Sequence, residues 1–252
     1  MLWLRRDRRR LLRVTAPAHL ARRAGAEALG TALLVCAVVG SGIAATRLSP
    51  HQVGLELLEN AFATAAALAA IILAIGPVSG AHLNPAVTLV DRAFGRRGNG
   101  EACAYIGAQV VGACAGAMVA NAMFGLPLVQ ASTHVRSGGP IWLGEVVATF
   151  GLILVIFGMT RGGEHRYIPF AVAGYIAGAY WFTSSTSFAN PAVTIGRTLS
   201  DSFAGIAPRS APGFVAAELA GAAIALGAVW LLYPRPEPAG HFTDQTPLEE
   251  TA

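Results

Sequence analysis

Two short segments of this chain carry the same string. Residues 84–88 and 190–194 both read Asn-Pro-Ala-Val-Thr, 106 residues apart, and each is followed by an aliphatic residue. Asn is a favoured helix N-cap, and Pro is tolerated at the first helical position because its missing N–H has no intrahelical partner there. Each string therefore starts a helix. The apolar pieces that follow, near 84–94 and 190–200, are roughly ten residues each, about 15 Å of helix. Neither crosses a hydrocarbon core of about 30 Å, but two laid end to end do.

The rest of the chain says what surrounds them. Hydrophobic residues make up 54% and charged residues only 13%. A soluble domain of this size usually carries about twice that charged share, so lipid is the expected solvent. Six further segments are long and apolar enough to span, at about 24–45, 53–76, 101–124, 141–160, 168–185 and 212–233. Each short segment follows the second span of a three-span unit. Three is odd, so the second unit enters the membrane from the opposite side, as in transport folds with a working site at the midplane. The expected fold is an all-α membrane protein: six transmembrane helices plus two re-entrant half-helices in an inverted repeat. The expected organisation is a basic segment over 1–19, a channel domain over 20–233 and a disordered tail over 234–252. Within the channel domain the repeats cover about 20–125 and 139–233.

All 18 basic residues are Arg. With the N-terminus inside, 14 of them fall on the inner side and 4 (Arg47, Arg136, Arg197 and Arg209) on the outer side. That bias places both termini in the cytoplasm of a multi-pass cell-membrane protein, and makes topology rather than nucleic acid the reason for the basic balance. The Arg-rich start resembles a signal peptide, but the run from Ala24 to Ala45 is too long for one and reads as a retained first span. Cys36, Cys103 and Cys114 lie in apolar runs and read as packing residues, not as a disulfide framework.

Irregular backbone at mid-membrane survives only where it lines a cavity or is buried in protein. Asn84-Pro85-Ala86 and Asn190-Pro191-Ala192 would bring two positive helix ends and two side-chain amides to that depth. The amides suit a passing neutral solute, and the positive ends oppose cations. No catalytic carboxylate pair, nucleophile–base set, metal cluster or cofactor motif is legible, so the chain reads as a channel rather than an enzyme.

On these residues the chain resembles the aquaporin, or major intrinsic protein, family. Ser79-Gly80-Ala81-His82-Leu83-Asn84-Pro85-Ala86-Val87-Thr88 is similar to that family's first signature, and the likeness extends over about residues 20–233. The resemblance implies a passive pore for water and small uncharged solutes, and a homotetramer in the bilayer. It implies that Glu27 and Glu145, with Gln109 and His82, support the re-entrant loops. Glu218 has a weaker case and reads as pairing near the outer end of its span. Gly112 with Gly116, and Gly174 with Gly178, suit tight helix crossings, most of them within one protomer.

The chain departs from the family's water-selective pattern at the outer filter. The position directly after the second Asn-Pro-Ala, usually Arg, is Val193. By the family's spacing its companions are Thr64, Gly178 and Ser187, none aromatic or charged, which implies a wide and weakly polar opening. Arg197 lies one helical turn beyond Val193 on the same face. It reads either as a replacement charge at the outer mouth or as an interfacial Arg, and Asp201 is placed to pair with it. The glycerol-channel Asp soon after the second motif is absent, with Thr194 there instead. The Val193 context is similar to bacterial aquaporins of arsenic-resistance operons. That implies polyols or neutral metalloids such as arsenite as solutes. The alternatives are a water-selective pore, an ion-coupled inverted-repeat transporter, or a sealed structural membrane protein.

Overall fold

The computed structural model describes residues 19–233. The basic segment expected before His19 and the tail expected over 234–252 lie outside the described residues.

Eight α-helices follow one another: α1 Leu20–Leu48, α2 Val53–Ser79, α3 Pro85–Ala93, α4 Asn99–Met123, α5 Gly139–Arg161, α6 Ile168–Phe182, α7 Pro191–Arg197 and α8 Ala211–Leu232. Single 3₁₀ turns at His165–Tyr167 and Pro208–Ser210 lead into α6 and α8. No strand occurs among the described residues. Five helices, all the long ones except α6, are long and apolar enough to cross a membrane.

The exception differs from expectation in its end: a span is expected over 168–185, whereas α6, entered through the turn at His165–Tyr167, stops at Phe182 after 15 residues. The chain turns extended at Thr183, whose hydroxyl caps back onto the Ala179 carbonyl at 2.7 Å. Residues 183–190 are thereby released to form the second re-entrant loop. The second half-helix is also shorter than expected, 7 residues rather than a run to position 200.

Helix pairing repeats in the two halves. α1 lies along α4, α5 lies along α8, and α2 meets α6 across the halves. The close pairings rest on absent side chains. A Cβ at Gly112 or Gly116 would overlap the carbonyl oxygen of Ala28 or Ala32 on α1, and one at Gly221 would overlap that of Val146 on α5. Gly112 and Gly116 therefore work within the protomer. Gly174 and Gly178 have no such neighbour. Large apolar side chains such as Phe62, Trp181 and Trp230 point outward, which suits lipid and would be costly in water.

Candidate functional site

α3 and α7 start at the centre of the fold, each with Pro at its first position and Asn as its N-cap. Asn84 Oδ1 accepts the Ala86 N–H at 2.8 Å, and Asn190 Oδ1 accepts the N–H groups of Ala192 and Val193 at 3.0 and 3.3 Å. Each amide nitrogen then reaches across to the opposite loop. Asn84 Nδ2 donates to the Ala189 carbonyl at 2.8 Å, and Asn190 Nδ2 donates to the Leu83 carbonyl at 2.7 Å. This reciprocal lock orients both amides and leaves each with one free N–H. Both Asn residues line a cavity of 430 Å³ that runs between the two half-helices.

The loops before the two Asn residues share an unusual backbone. Ala81 and Leu83 in the first, and Ser187 and Ala189 in the second, have φ between 47 and 52°. Non-glycine residues in this region cost about 1–2 kcal/mol each. The geometry persists because buried carboxylates collect the N–H groups it exposes. Glu27 accepts from the backbone of His82 at 2.9 Å and of Leu83 at 2.6 Å. It also accepts from Ser79 Oγ at 2.6 Å and Gln109 Nε2 at 2.8 Å. Glu145 accepts from the backbone of Phe188 and Ala189 at 2.9 and 2.8 Å. Glu218 is fully buried and accepts from the Asn190 N–H at 3.2 Å and Thr194 Oγ1 at 2.6 Å. It belongs with the loop supports, not with a pair at a span end. Sequence spacing hid this, because the loop that Glu218 holds is 28 residues away.

His82 bridges support and pore. Its Nε2 lies 3.3 Å from an Arg97 nitrogen that can only donate, so Nε2 accepts and Nδ1 carries the proton toward Thr88 Oγ1 at 3.1 Å. Thr88 in turn donates to the Asn84 carbonyl at 3.0 Å.

The four expected filter residues are not all brought together. Thr64, Ser187 and Val193 line the cavity. Gly178 does not: it is exposed on α6, and the cavity-lining side chains of α6 that flank it are Ile176 and Tyr180. Tyr180 donates its hydroxyl to Thr64 Oγ1 at 3.3 Å. An aromatic therefore stands at this level, contrary to the expectation from spacing. The helical face decides it: Gly178 is two residues, more than half a turn, from either inward position.

Arg197 also lines the cavity, with only 2% of its surface exposed. The expected Arg197–Asp201 pair does not form. Asp201 Oδ1 instead accepts from Thr133 N at 2.8 Å and Thr133 Oγ1 at 3.0 Å. Those bonds, the backbone one foremost, hold its carboxyl below the usual range.

At the other end, near α3, sequence reasoning missed a charged cluster. Arg97 Nε lies 2.7 Å from Asp91 and its Nη1 2.6 Å from Glu101, and its guanidinium stacks over Tyr105 at 4.4 Å. Arg23 joins through Glu101 and the Tyr105 hydroxyl. Asp91 and Arg97 both line the cavity. The available signal was position: Asp91 lies seven residues past Asn84, as Arg197 lies seven past Asn190.

The sequence model of the family described as major intrinsic protein matches residues 15–173 of this chain. The chain belongs to the major intrinsic protein family. It is similar to aquaglyceroporin AqpS of Rhizobium meliloti, 51% identical over 217 residues covering 85% of this chain and 92% of that protein. It is also similar to the probable aquaporin AqpM of Archaeoglobus fulgidus, at 33% identity over 74% of this chain and 86% of that one. The solved aquaglyceroporin of Plasmodium falciparum shares its fold, with a TM-score of 0.65 at 20% identity, covering 82% and 94% of the two chains. As a major intrinsic protein the chain is a multi-pass membrane channel for water or small solutes, not an enzyme.

Proposed function

We propose that this channel passively conducts small uncharged hydroxylated solutes, polyols or neutral metalloid hydroxides such as arsenite, together with water. The crossed amides of Asn84 and Asn190 carry the reading. Each offers a donor to a cavity that Leu68, Ile72 and Ile176 also line. A solute with hydroxyls on one edge and carbon or metalloid on the other suits both kinds of lining. A bare cation meets donors and positive helix ends instead. The relative named as an aquaglyceroporin and the small Val193 side chain support the wider solute class.

A water-selective pore is the second reading, favoured by Tyr180 and Arg197 in the lining. Ion coupling is less well supported. Among the described residues, Glu27, Glu145 and Glu218 are turned onto the loops and engaged by their N–H groups, which leaves them poorly placed to bind an ion. Both termini are assigned to the cytoplasm from the arginine bias, and the assembly to a homotetramer from the family.

The test is stopped-flow measurement of water, glycerol and arsenous acid fluxes in proteoliposomes. Solute flux clearly above that of empty vesicles is expected. Water flux without solute flux would transfer the case to the water-selective reading, and no flux of either would end both.

A further inference from the structure

Arg197 and its surroundings carry more than the sequence reading gave them. The Nε of Arg197 donates to the Ala204 carbonyl, and its guanidinium lies 3.3 Å from the centre of the Phe188 ring. Among the described residues, Arg197 forms its hydrogen bond through Nε and takes part in no ion pair, so its terminal nitrogens are left to the cavity that it lines. Burying a guanidinium this way is expensive unless something polar supplies the acceptors.

The same stretch of cavity holds a second unpartnered group. Ser187, 3% exposed, lines the cavity, and its buried hydroxyl oxygen has no partner among the described residues. Its backbone is fixed with φ at 52° and its N–H bound to Ser185 Oγ at 3.2 Å. The guanidinium is equally fixed, by the Phe188 stack and by Ala204. Arg136 helps hold that loop, bonding the Gly205 carbonyl at 2.9 Å and the Phe203 carbonyl at 3.0 Å. Arg136 thus spends its donors on the loop. Arg197 keeps its own for the cavity.

We propose that Arg197 and Ser187 form the specificity-determining site of this pore, docking the oxygens of uncharged hydroxylated solutes. Arg197, one helical turn beyond Val193, is also the fixed charge that rejects cations. This assignment rests on the channel reading above. It explains how a pore with Val193 after its second motif keeps a charge barrier while leaving room beside that motif. The guanidinium enters from a turn further out, so the small Val193 side chain and the Arg197 donors occupy successive levels.

The experiment compares wild type, Arg197→Gln, Arg197→Gln combined with Val193→Arg, and Ser187→Ala in proteoliposomes. Readouts are water flux, glycerol flux, and sodium and proton leak under an imposed potential. Arg197→Gln is expected to raise cation leak by about tenfold or more, since one unpaired charge leaves a low-dielectric site. The double variant should restore cation exclusion, because it returns a guanidinium to the same wall. Ser187→Ala removes a hydroxyl that supports no other group, so it should fold normally. It should lower the glycerol-to-water flux ratio about twofold to fivefold without cation leak. If Arg197→Gln does not assemble, the Ser187→Ala ratio decides the docking site. Unchanged leak in Arg197→Gln, or an unchanged ratio in Ser187→Ala, would overturn the assignment while wild-type glycerol flux leaves the channel reading standing. Absence of wild-type flux would defeat the channel reading itself.

Discussion

The two halves of the molecule solve one problem with different charges. Each must hold a strained loop at the centre of the fold and start a half-helix from it. In the first half, the neutral amide of Gln109 feeds Glu27, which also takes the backbone of His82 and Leu83. In the second, two carboxylates stand side by side: Glu145 takes Phe188 and Ala189, and Glu218 takes Asn190. Farther along the half-helices the contrast sharpens. Asp91 and Arg197 occupy equivalent positions with opposite charges, and both line the cavity. Asp91 is neutralised by Arg97, whereas Arg197 has no carboxylate partner among the described residues. The repeat therefore conserves the geometry of the re-entrant loop and frees the charge beyond it to differ. A paired charge stabilises an end of the fold, while an unpaired one is available to a solute.

The sharpest way to break this comparison is to remove the loop supports. Glu27→Ala removes the acceptor of four donors, of which Gln109 Nε2 keeps a second partner in Thr88, and should cost about 4 kcal/mol. Glu145→Ala strands two, beside a second carboxylate, and should cost about 2–4 kcal/mol. Thermal unfolding in detergent checks both, and equal losses would mean that the two halves are held alike. A smaller asymmetry concerns packing. Gly116→Ala should cost about 1–3 kcal/mol, because the new methyl meets the Ala32 carbonyl. The matching residue of α8 is already the buried Ala225, and Ala225→Gly should cost only about 1 kcal/mol.

Val193→Arg tests whether the second half-helix sets selectivity. It should reduce glycerol flux about tenfold while reducing water flux much less. Equal effects on both would remove Val193 from the constriction. Glu218→Gln should have the smallest effect, within about 1 kcal/mol of wild type, because it installs at 218 the amide that the first half carries at 109. A large loss of stability or flux would show that the carboxyl of Glu218 does something its counterpart does not.

How much of this was legible depended on whether the signal was local. The Asn-Pro starts of α3 and α7 are local chemistry, an N-cap followed by a residue without an N–H, and the structure has both helices beginning at those residues. The long helices follow from apolar run length, and their ends fall within a few residues of expectation, except where α6 yields three residues to the loop after it. The filter was harder. Spacing aligns Gly178 with the filter, but which α6 residues face inward depends on the rotation of the helix against α2 and α5. Tyr180 faces the cavity as a result. Spacing puts Arg197 one turn beyond Val193, and both line the cavity, but Asp201 is not its partner. Asp201 is close in sequence, but the loop from α4 reaches it first through Thr133.

From its sequence alone the chain is committed to a bilayer, to an inverted repeat and to two half-helices meeting at their Asn N-caps. Those outcomes follow from hydrophobic length, an odd number of spans per repeat and the chemistry of two residue pairs. Only the tertiary structure decided what the cavity offers to a solute. The crossed Asn amides, Tyr180 in place of Gly178, Glu218 under the second loop and the unpaired Arg197 all depend on groups distant in sequence converging. Hydrogen bonds and ion pairs act over a few ångströms, so their partners are chosen by packing and not by the order of residues along the chain.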